Sequence, residues 1–352
     1  MRLIDKEKLK AFPILIGIAG FTMIGCNEKT ESGTEVIIEK TVISPTIKQM
    51  AVNELLNVDK MDVFGSKLVC INRQTDSIIY VYDTKEGSFL GAFGRQGQGP
   101  NDFLFPFFLK KQQKSNNEMS FFDVNGASFK NVQIDKVLSH EDGQMSYSRM
   151  YSSLIGSPNL IMRNDSCFFG NMDMGQGMFF IYRPQKDSIQ WIPYPHELQH
   201  FESGFTVMNM NRIAMKNDAS RIISAMKFYN LLFQYDGEGN LRKSVQIGKN
   251  EIKPIVVNEE SLDGESQWCF SDIIGTDNYV YVLEQTTKEK DFEKLSNKPS
   301  KIIVLDWELN YKQSYQLPHY ALNFCYDTQL NRIFYSTYNE EGGTDLYYFD
   351  ID

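Results

Sequence analysis

The sequence predicts an all-β protein, a six-bladed β-propeller, and three observations lead to this prediction. Helical periodicity is nearly absent after the first residues, and apolar runs of strand length alternate with turn residues. Aromatic residues make up 13% of the 352 residues, and Tyr and Phe favour strands. The strand-like runs recur in units roughly 50 residues apart, which is typical of propellers. Because the spacing is irregular, seven blades are the alternative.

The predicted repeating unit has a fixed order of elements: a strand, a polar hairpin, a second strand ending in Asp, a turn and a third strand. The clearest example has its strands at residues 68–71, 78–83 and 89–93. Three more clear copies and two weaker ones complete the set, at 221–247, 279–317, 332–350, 119–134 and 166–192. Neighbouring blades are expected to bury each other's faces.

The propeller domain is predicted to span residues 34–352. Its first segment bears on how the ring closes. Residues 34–44 contain a good strand, from Val36 to Ile43, without a partner in its own neighbourhood. The last copy stops after its third strand. We therefore predict that this segment supplies the missing outer strand of the last blade, which would protect a sheet edge. The alternative is that the segment is part of a tether.

Residues 1–25 are predicted to be a signal peptide. Basic residues precede a stretch from Ala11 to Gly25 without a charge, which is short for a membrane span and typical of a signal-peptide core. The stretch ends in Met23-Ile24-Gly25-Cys26, which resembles the bacterial lipobox. The resemblance implies cleavage before Cys26 and a lipid anchor on that residue. An ordinary signal peptide and a buried N-terminal helix are the alternatives.

The predicted anchor places the protein in the cell envelope. Residues 26–33 are small, polar and charged, as in a flexible tether. Asn27 stands where an inner-membrane retention signal has Asp, so the outer membrane is favoured, on its periplasmic or its surface face. Several acyl chains anchor a protein stably, whereas a single chain is marginal. The expected membrane contact is thus the N-terminal lipid.

Charge and cysteine content exclude some functions. The formal charge is −9, and removing the leader with its net charge of +2 leaves −11. Such an acidic domain is a poor partner for nucleic acid, which needs Lys and Arg to neutralise phosphates. Cys70, Cys167, Cys269 and Cys325 lie far apart in apolar surroundings, without a CxxC motif. We expect buried free thiols rather than a disulfide framework or a metal site.

A glycine-rich segment carries a family resemblance. Phe93-Gly94-Arg95-Gln96-Gly97-Gln98-Gly99-Pro100-Asn101-Asp102-Phe103, with Pro106 after it, resembles the inter-blade loop of NHL-like six-bladed propellers. It is still more similar to TolB-like propeller lipoproteins of Gram-negative bacteria, a group largely without assigned function. Glycine permits the positive φ that such a return loop needs. A phosphate loop is not indicated, because no Gly-Lys-Ser/Thr follows.

Two motifs that suggest catalysis have simpler interpretations. Residues 196–200 match the HExxH pattern, but prolines at 193 and 195 argue against the helix that this zinc site needs. We interpret them as a polar connection between blades three and four. Residues 261–268 resemble a sialidase Asp-box and are interpreted as a turn. A Gly-x-Ser-x-Gly nucleophile elbow is absent from the sequence.

In a four-stranded blade the polar hairpin joins the second and third strands and lies on the same face as the inter-blade loops. The ligand or partner site is predicted on this face, because polar groups converge there. Arg73 and Arg95 are the strongest candidates, since unpaired Arg suits carboxylates. The alternative is that most of these residues serve turn geometry. The candidates are Arg73, Asp76, Arg95, Gln98, Asp123, Asn171, Lys227, Tyr229, Glu284 and Asn339.

Two functions follow from this arrangement. The favoured one is a non-catalytic binding or scaffold module for a protein, peptide or glycan, without a cofactor or metal, because the strand ends carry Arg and Lys as often as carboxylates. The alternative is a metal-dependent hydrolase of the lactonase or phosphotriesterase type, which this fold class resembles. Asp123, Asn171 and Glu284 could supply oxygen ligands to its axial calcium. That enzyme requires carboxylates from several blades to meet at one point.

Overall fold

The structure is a computed structural model of the 352-residue chain. It describes residues 33–52, 57–111, 117–141, 145–173, 175–198, 207–258, 261–291 and 298–351. The predicted signal peptide and the predicted anchor Cys26 lie outside these residues. The described chain forms six antiparallel sheets of four main strands each. The prediction of an all-β, six-bladed propeller is confirmed.

The N-terminal segment, residues 35–49, is called the belt. It contains β1 (Glu35–Ile37), β2 (Val42–Ile43) and β3 (Lys48–Gln49). Blade one contains β4 (Lys60–Phe64), β5 (Lys67–Ile71), β6 (Ser77–Asp83) and β7 (Phe89–Arg95). Blade two begins with β8 (Pro106–Phe108), after which β9 (Lys110–Lys111) pairs with the next blade. Blade two continues with β10 (Glu118–Asp123), β11 (Ser128–Gln133) and β12 (Met145–Arg149).

The remaining blades follow the same order. Blade three contains β13 (Asn159–Asn164), β14 (Cys167–Asn171), β15 (Phe179–Arg183) and β16 (Ser188–Ile192). Blade four contains β17 (Asn211–Met215), β18 (Arg221–Met226), β19 (Leu231–Asp236) and β20 (Leu241–Ile247). A small hairpin, β21 (Val256–Asn258) and β22 (Ser261–Leu262), comes next. Blade five contains β23 (Phe270–Gly275), β24 (Tyr279–Glu284), β25 (Lys301–Asp306) and β26 (Tyr311–Gln316). Blade six contains β27 (Asn323–Asp327), β28 (Arg332–Tyr338) and β29 (Thr344–Asp350).

The helices among the described residues are short. One α-helix, α1 (Ile134–Leu138), links the third and fourth strands of blade two. Three 3₁₀ turns lie in connections, at Ser152–Leu154, Pro184–Lys186 and Val207–Asn209. No helix among the described residues is both long enough and apolar enough to cross a membrane.

Six hydrophobic clusters join the blades into a ring, each lying between two consecutive blades. The middle strands are buried on both faces, which is why β5 and β25 read as almost unbroken apolar runs. One cluster joins blade six to blade one through Phe334 and Leu68. The four cysteines after residue 33 are buried and free, as expected. Burial raises the pKa of the Cys70 and Cys269 thiols.

Ring closure by an N-terminal strand is confirmed, although the strand that closes the ring is not the expected one. β3 pairs antiparallel with β29 and completes blade six. The expectation that residues 34–44 provide this strand is wrong. β1 pairs parallel with β20 of blade four, and β2 pairs parallel with β26 of blade five. The belt therefore follows the outer edges of three blades, where each piece covers an edge that would otherwise be exposed.

The Asp that ends the second strand of the clearest predicted units, which is the third strand of the observed blade, has a local structural role. Asp83, Asp236 and Asp306 each accept hydrogen bonds from backbone amides of the turn that follows, at 2.7–3.0 Å. Burial opposes ionisation of Asp236, yet hydrogen bonds from Asn240 and Arg242 lower its pKa to about 2. Such turns need an acceptor beside the chain reversal.

Candidate functional site

The ring has two faces, which strand direction distinguishes. The hairpins between second and third strands lie on the same face as the connections between blades, because the fourth strand of one blade ends where the first strand of the next begins. We call this the mouth face. The turns between first and second strands and between third and fourth strands lie on the opposite face.

A central channel with a cavity of about 150 Å³ runs between the first strands of all six blades. Lys60, Lys110, Lys111, Arg212 and Lys216 are its basic lining residues, and Asp62 and Asp272 are its acidic ones. The ammonium of Lys60 in blade one lies 3.6 Å from the carboxylate of Asp272 in blade five. Blade six lies between blades five and one in the ring, so this ion pair links two blades that are not adjacent.

A second cavity of about 230 Å³, the mouth pocket, opens on the mouth face beside blades four and five. Its walls come from the hairpin of blade four, the connections 248–269 and 317–322, and the start of hairpin 285–300. Long connections that have no large sheet of their own are often functional. The lining residues are Asn211, Arg212, Lys227, Trp268, Phe270, Ser271, Gln285, Tyr320 and Leu322.

Lys227 is the central charged group of this pocket. Its backbone amide donates to the carbonyl of Met210 at 2.8 Å, and its carbonyl accepts from the amide of Cys269 at 2.6 Å. Its ammonium lies 3.8 Å from the centre of the Trp268 ring and 5.0 Å from that of Phe228. No carboxylate among the described residues forms an ion pair with it. Burial lowers the pKa of Lys227, because a low dielectric disfavours the charged form.

The ring of Trp268 is held by the neighbouring hairpin. Its backbone amide donates to the carbonyl of Thr287 at 2.8 Å, and its indole N–H donates to the carboxylate of Glu289. A cation over an indole face gains about 0.5–2 kcal/mol. This attraction offsets part of the cost of burying the Lys227 ammonium.

Arg212 lines both the mouth pocket and the central channel. Its guanidinium donates to the carboxylate of Asp173 and to the carbonyl of Asn211, each at 2.9 Å. Arg212 is thus held at the junction of the two cavities, and Asp173 compensates its charge.

Several buried polar atoms of the mouth pocket have no hydrogen-bond partner among the described residues. They are Oε1 of Gln285, Oδ1 of Asn211, the hydroxyl of Tyr320 and the hydroxyl of Ser271. The first three residues are at most 3% exposed. Buried polar atoms in proteins are usually hydrogen-bonded, but these atoms are fully enclosed in the pocket wall and do not face its open space.

The structure places Arg73 and Arg95 on the mouth face, but the expectation that they are unpaired is wrong. The Arg73 guanidinium lies over the rings of Phe105 and Phe107, at 4.0 and 4.7 Å, and donates to the carbonyl of Pro106 at 2.7 Å. It also lies 3.5 Å from Asp59. Arg73 therefore fixes the loop that leads into blade two.

Arg95 belongs to the glycine-rich return loop. Its Nε lies 2.8 Å from Oδ1 of Asp102, whose Oδ2 accepts from the amide of Gly99 at 2.9 Å. The hydrogen bond from Arg95 lowers the pKa of Asp102. Gly94 has a φ of +69°, and a Cβ on Gly97 would lie 2.4 Å from the Asp102 carboxylate. The loop thus has the structural role predicted for its glycines.

The three residues considered as calcium ligands have separate partners. Asp123 accepts from the amides of Leu104, Phe105 and Gly126 at 2.6–2.9 Å. Asn171 donates to the carbonyl of Asn211 at 2.5 Å, and Glu284 pairs with Lys301 at 2.7 Å. Within the described ranges, no three His, Cys, Asp or Glu residues lie close enough together to hold a metal ion.

The other predicted site residues are scattered. Asp76 and Gln98 are exposed in loops, and Asn339 accepts from two amides of its own turn, at 3.1 and 2.8 Å. Tyr229 is fully buried in the core between blades three and four. Of the ten predicted residues, Lys227 alone lines the mouth pocket. The site as predicted from the sequence remains a prediction.

The two motifs that suggested catalysis lie in connections. His196 and Glu197 lie in a turn between blades three and four, while His200 lies outside the described residues. In the Asp-box-like segment, the amide of Ser266 donates to the carbonyl of Asp263 at 2.9 Å, which is a turn. Trp268, the last residue of that segment, lines the mouth pocket.

Sequence reasoning did not select Arg212, Gln285 or Tyr320. They come from a first strand, a long hairpin and a short connection, so no local motif joins them. The length of the connections around Trp268 and Gln285 was the one available signal.

Six four-stranded blades around a channel, with a polar pocket at the mouth, define the class of protein as a six-bladed β-propeller. The chain belongs to the TolB-like 6-blade propeller-like family, whose model matches residues 59–329. A comparison with curated protein sequences found no match.

Solved structures share the fold. A member of the DUF4221 family from Bacteroides vulgatus superposes with a TM-score of 0.57 at 14% identity, over 88% of this chain and 93% of that one. A protein from Bacteroides fragilis assigned as exported gives a TM-score of 0.57 at 13% identity. The superposition covers 91% of this chain and 100% of that one. A luciferin-regenerating enzyme gives a TM-score of 0.50 at 8% identity, over 88% of this chain and 96% of that one. At these identities the similarity shows the fold alone.

Proposed function

We propose that this protein is a non-catalytic binding module of the cell envelope, which recognises an acidic group of a protein, peptide or glycan at the mouth pocket. The observation that carries the proposal is the Lys227 ammonium, which is half-buried against the Trp268 ring and forms no ion pair with a described carboxylate. Glu289 and Asp173 attract this ammonium without forming an ion pair with it, and an anion entering the pocket would be a direct partner. Charge-assisted hydrogen bonds of this kind are stronger than neutral ones.

The location in the envelope is part of the same proposal. Its support is the leader that ends in the lipobox-like Met23-Ile24-Gly25-Cys26, together with the exported assignment of the Bacteroides fragilis structure. The finer proposal is an outer-membrane lipoprotein anchored at Cys26. Labelling with a fatty acid in cells tests it: the natural chain should incorporate the label, and Cys26→Ala should not.

Binding is tested with two acidic polymers, polygalacturonate and poly-glutamate, and with neutral dextran. The purified protein should bind at least one acidic polymer and should not bind dextran. Lys227→Met should weaken that binding at least tenfold, since it removes the charge and leaves a side chain of similar length. Lys249→Met is the matched control, because Lys249 is exposed outside the pocket.

Two results would contradict the binding proposal. One is that neither acidic polymer binds at low salt, where attraction between charges is strongest. The other is that Lys249→Met weakens binding as much as Lys227→Met does, which would indicate a diffuse surface effect.

A further inference from the structure

We infer that the belt docks on the surface of the membrane that holds the lipid anchor, so that the outer rim of blades four and five faces the lipid. This inference rests on the proposed anchor at Cys26, and it adds a contact surface and an orientation. It depends on which side chains of the belt contact the blades and which are exposed.

Exposed aliphatic side chains are concentrated in the belt. Val36, Ile38, Val42 and Ile43 are 36–53% exposed. No other stretch of eight described residues contains more than two exposed large hydrophobic side chains. Single exposed apolar residues are normal on a protein surface, whereas a concentrated group marks contact with a partner or a membrane.

The acidic side chains of the belt contact the blades. The carboxylate of Glu35 lies 2.8 Å from the ammonium of Lys243, and that of Glu39 lies 2.7 Å from the ammonium of Lys301. These cations reduce the repulsion between the belt and anionic lipid. Lys40 is exposed and forms no ion pair with a described carboxylate, so its ammonium can contact anionic headgroups.

The position of the belt in the sequence favours the membrane as its partner. Val36 follows Cys26 by ten residues, and an extended chain of that length spans at most ~35 Å. A lipid on Cys26 would therefore hold the belt at a high local concentration near the bilayer. A second copy of the chain fits less well, because β1 and β2 have only three and two residues and offer few backbone groups for strand pairing.

The backbone of the belt sets the depth of this contact. β1 and β2 each pair with a blade on one side, and the backbone groups on the other side need water. The hydrocarbon core of a bilayer supplies none. The belt therefore rests at the boundary between headgroups and acyl chains, and the mouth face stays open to the solvent at the side of the ring.

Fluorescence quenching tests the inference on the lipid-anchored protein, extracted from cells and reconstituted in vesicles of phosphatidylethanolamine and phosphatidylglycerol. Val42→Cys and Tyr147→Cys each introduce one exposed thiol for a dye, since the four natural thiols after residue 33 are buried. Tyr147 is the control, because it is 64% exposed on the outer strand of blade two, across the ring from blade five. Lipids with a quencher in the upper part of the acyl chain should quench the dye at position 42 roughly fivefold more than the dye at position 147, because interfacial segments lie ~5–10 Å deep.

A charge in the belt should weaken the contact. Ile38→Asp, combined with Val42→Cys, should reduce the quenching roughly twofold or more, because a carboxylate is costly to move out of water. Ile155→Asp is the matched control, since Ile155 is 44% exposed and Ile38 is 40% exposed, and it should leave the quenching unchanged. Both positions are exposed, so neither substitution should lower the melting temperature appreciably.

The outcomes separate this inference from the proposed function. Equal quenching at positions 42 and 147 in a chain that carries the fatty-acid label would overturn the inference and keep the anchor. A dye at position 42 that is shielded only at high protein concentration, and that lipids do not quench, would assign the belt to a second copy and overturn the inference as well. If Cys26 takes no fatty-acid label, the anchor and the inference fail together, while binding at the mouth pocket stands or falls by its own test.

Discussion

The carboxylate of Glu39 in the belt lies 2.7 Å from the ammonium of Lys301 in blade five. The same ammonium lies 2.7 Å from Glu284, and the other oxygen of Glu39 accepts from the Ser314 hydroxyl at 2.6 Å. Burial lowers the pKa of Lys301, but the two carboxylates outweigh this effect and raise it. One lysine thus fixes the belt to the sheet that it covers.

Lys301→Met should destabilise the protein by about 3 kcal/mol, because it leaves two largely buried carboxylates without their cation. The free energy of unfolding in urea measures this loss. Lys312→Met is the control, since its pair with Asp306 is partly exposed and contributes at most about 1 kcal/mol. Equal effects of the two substitutions would contradict the assigned role of Lys301.

Asp123→Ala should destabilise the protein by about 2–3 kcal/mol, because three loop amides lose their acceptor. Asp76→Ala, in the equivalent hairpin of blade one, should change the stability by less than about 0.5 kcal/mol. Melting temperatures measured with calcium and with EDTA complete the test. A drop in EDTA that Asp123→Ala abolishes would show that Asp123 binds a metal instead.

Arg73→Lys should lower the free energy of unfolding by about 2 kcal/mol, because lysine cannot stack on Phe105 and Phe107 as a planar guanidinium does. The matched control is Arg95→Lys, since the Arg95 side chain is 80% exposed and its ion pair is worth little. Thermal unfolding at neutral pH compares the two. We expect neither substitution to change binding at the mouth pocket, and a loss of binding in Arg73→Lys alone would assign that residue to the site.

Acidification should destabilise the protein through His319. Burial lowers the pKa of His319. Its ring lies tilted against that of Tyr347, with 4.5 Å between the ring centres, and its Nδ1 lies 2.9 Å from the Tyr335 hydroxyl. The unfolded chain then binds a proton at higher pH than the folded one. Stability is therefore lost as pH falls through about 6.5 towards the lowered pKa, and the loss is complete below it.

The melting temperature at pH 7.5 and pH 5.5 measures this effect. His319→Phe keeps an aromatic ring without the titration, so its drop between the two pH values should be smaller than that of the natural chain. His140→Asn, at an exposed position, should show the full drop. If His319→Phe and the natural chain lose stability equally, other groups cause the acid sensitivity.

The six units could be predicted from the sequence because their middle strands are apolar on both faces. The first strand of each blade was not predicted, because one of its faces lines the channel. Lys60-Met61-Asp62 in β4 alternates in burial but carries charged residues, so its hydrophobic signal is weak. The closing strand β3 consists of Lys48 and Gln49, two exposed polar residues. The apolar Val36 and Val42 nearby gave a stronger pattern and led to the wrong pairing.

The mouth pocket was predictable only in part. Lys227 follows a clear strand, so topology placed it on the mouth face. Trp268, Gln285 and Tyr320 lie in irregular connections, and their convergence depends on packing among blades four, five and six that no local pattern records. Arg73 and Arg95 carry the right charge for a site, but the acidic and aromatic neighbours that engage them are distant in the sequence or lie across a loop.

The pairing of β3 with β29 also determines the order in which the protein can fold. Lys48 and Asp350, which form an ion pair across this seam, are separated by 302 residues. Contacts between such distant residues form slowly, because the intervening chain must first be ordered. The blades can pack one after another as the chain is made, but the ring can close only when blade six exists. The seam is then the last contact of the ring to form.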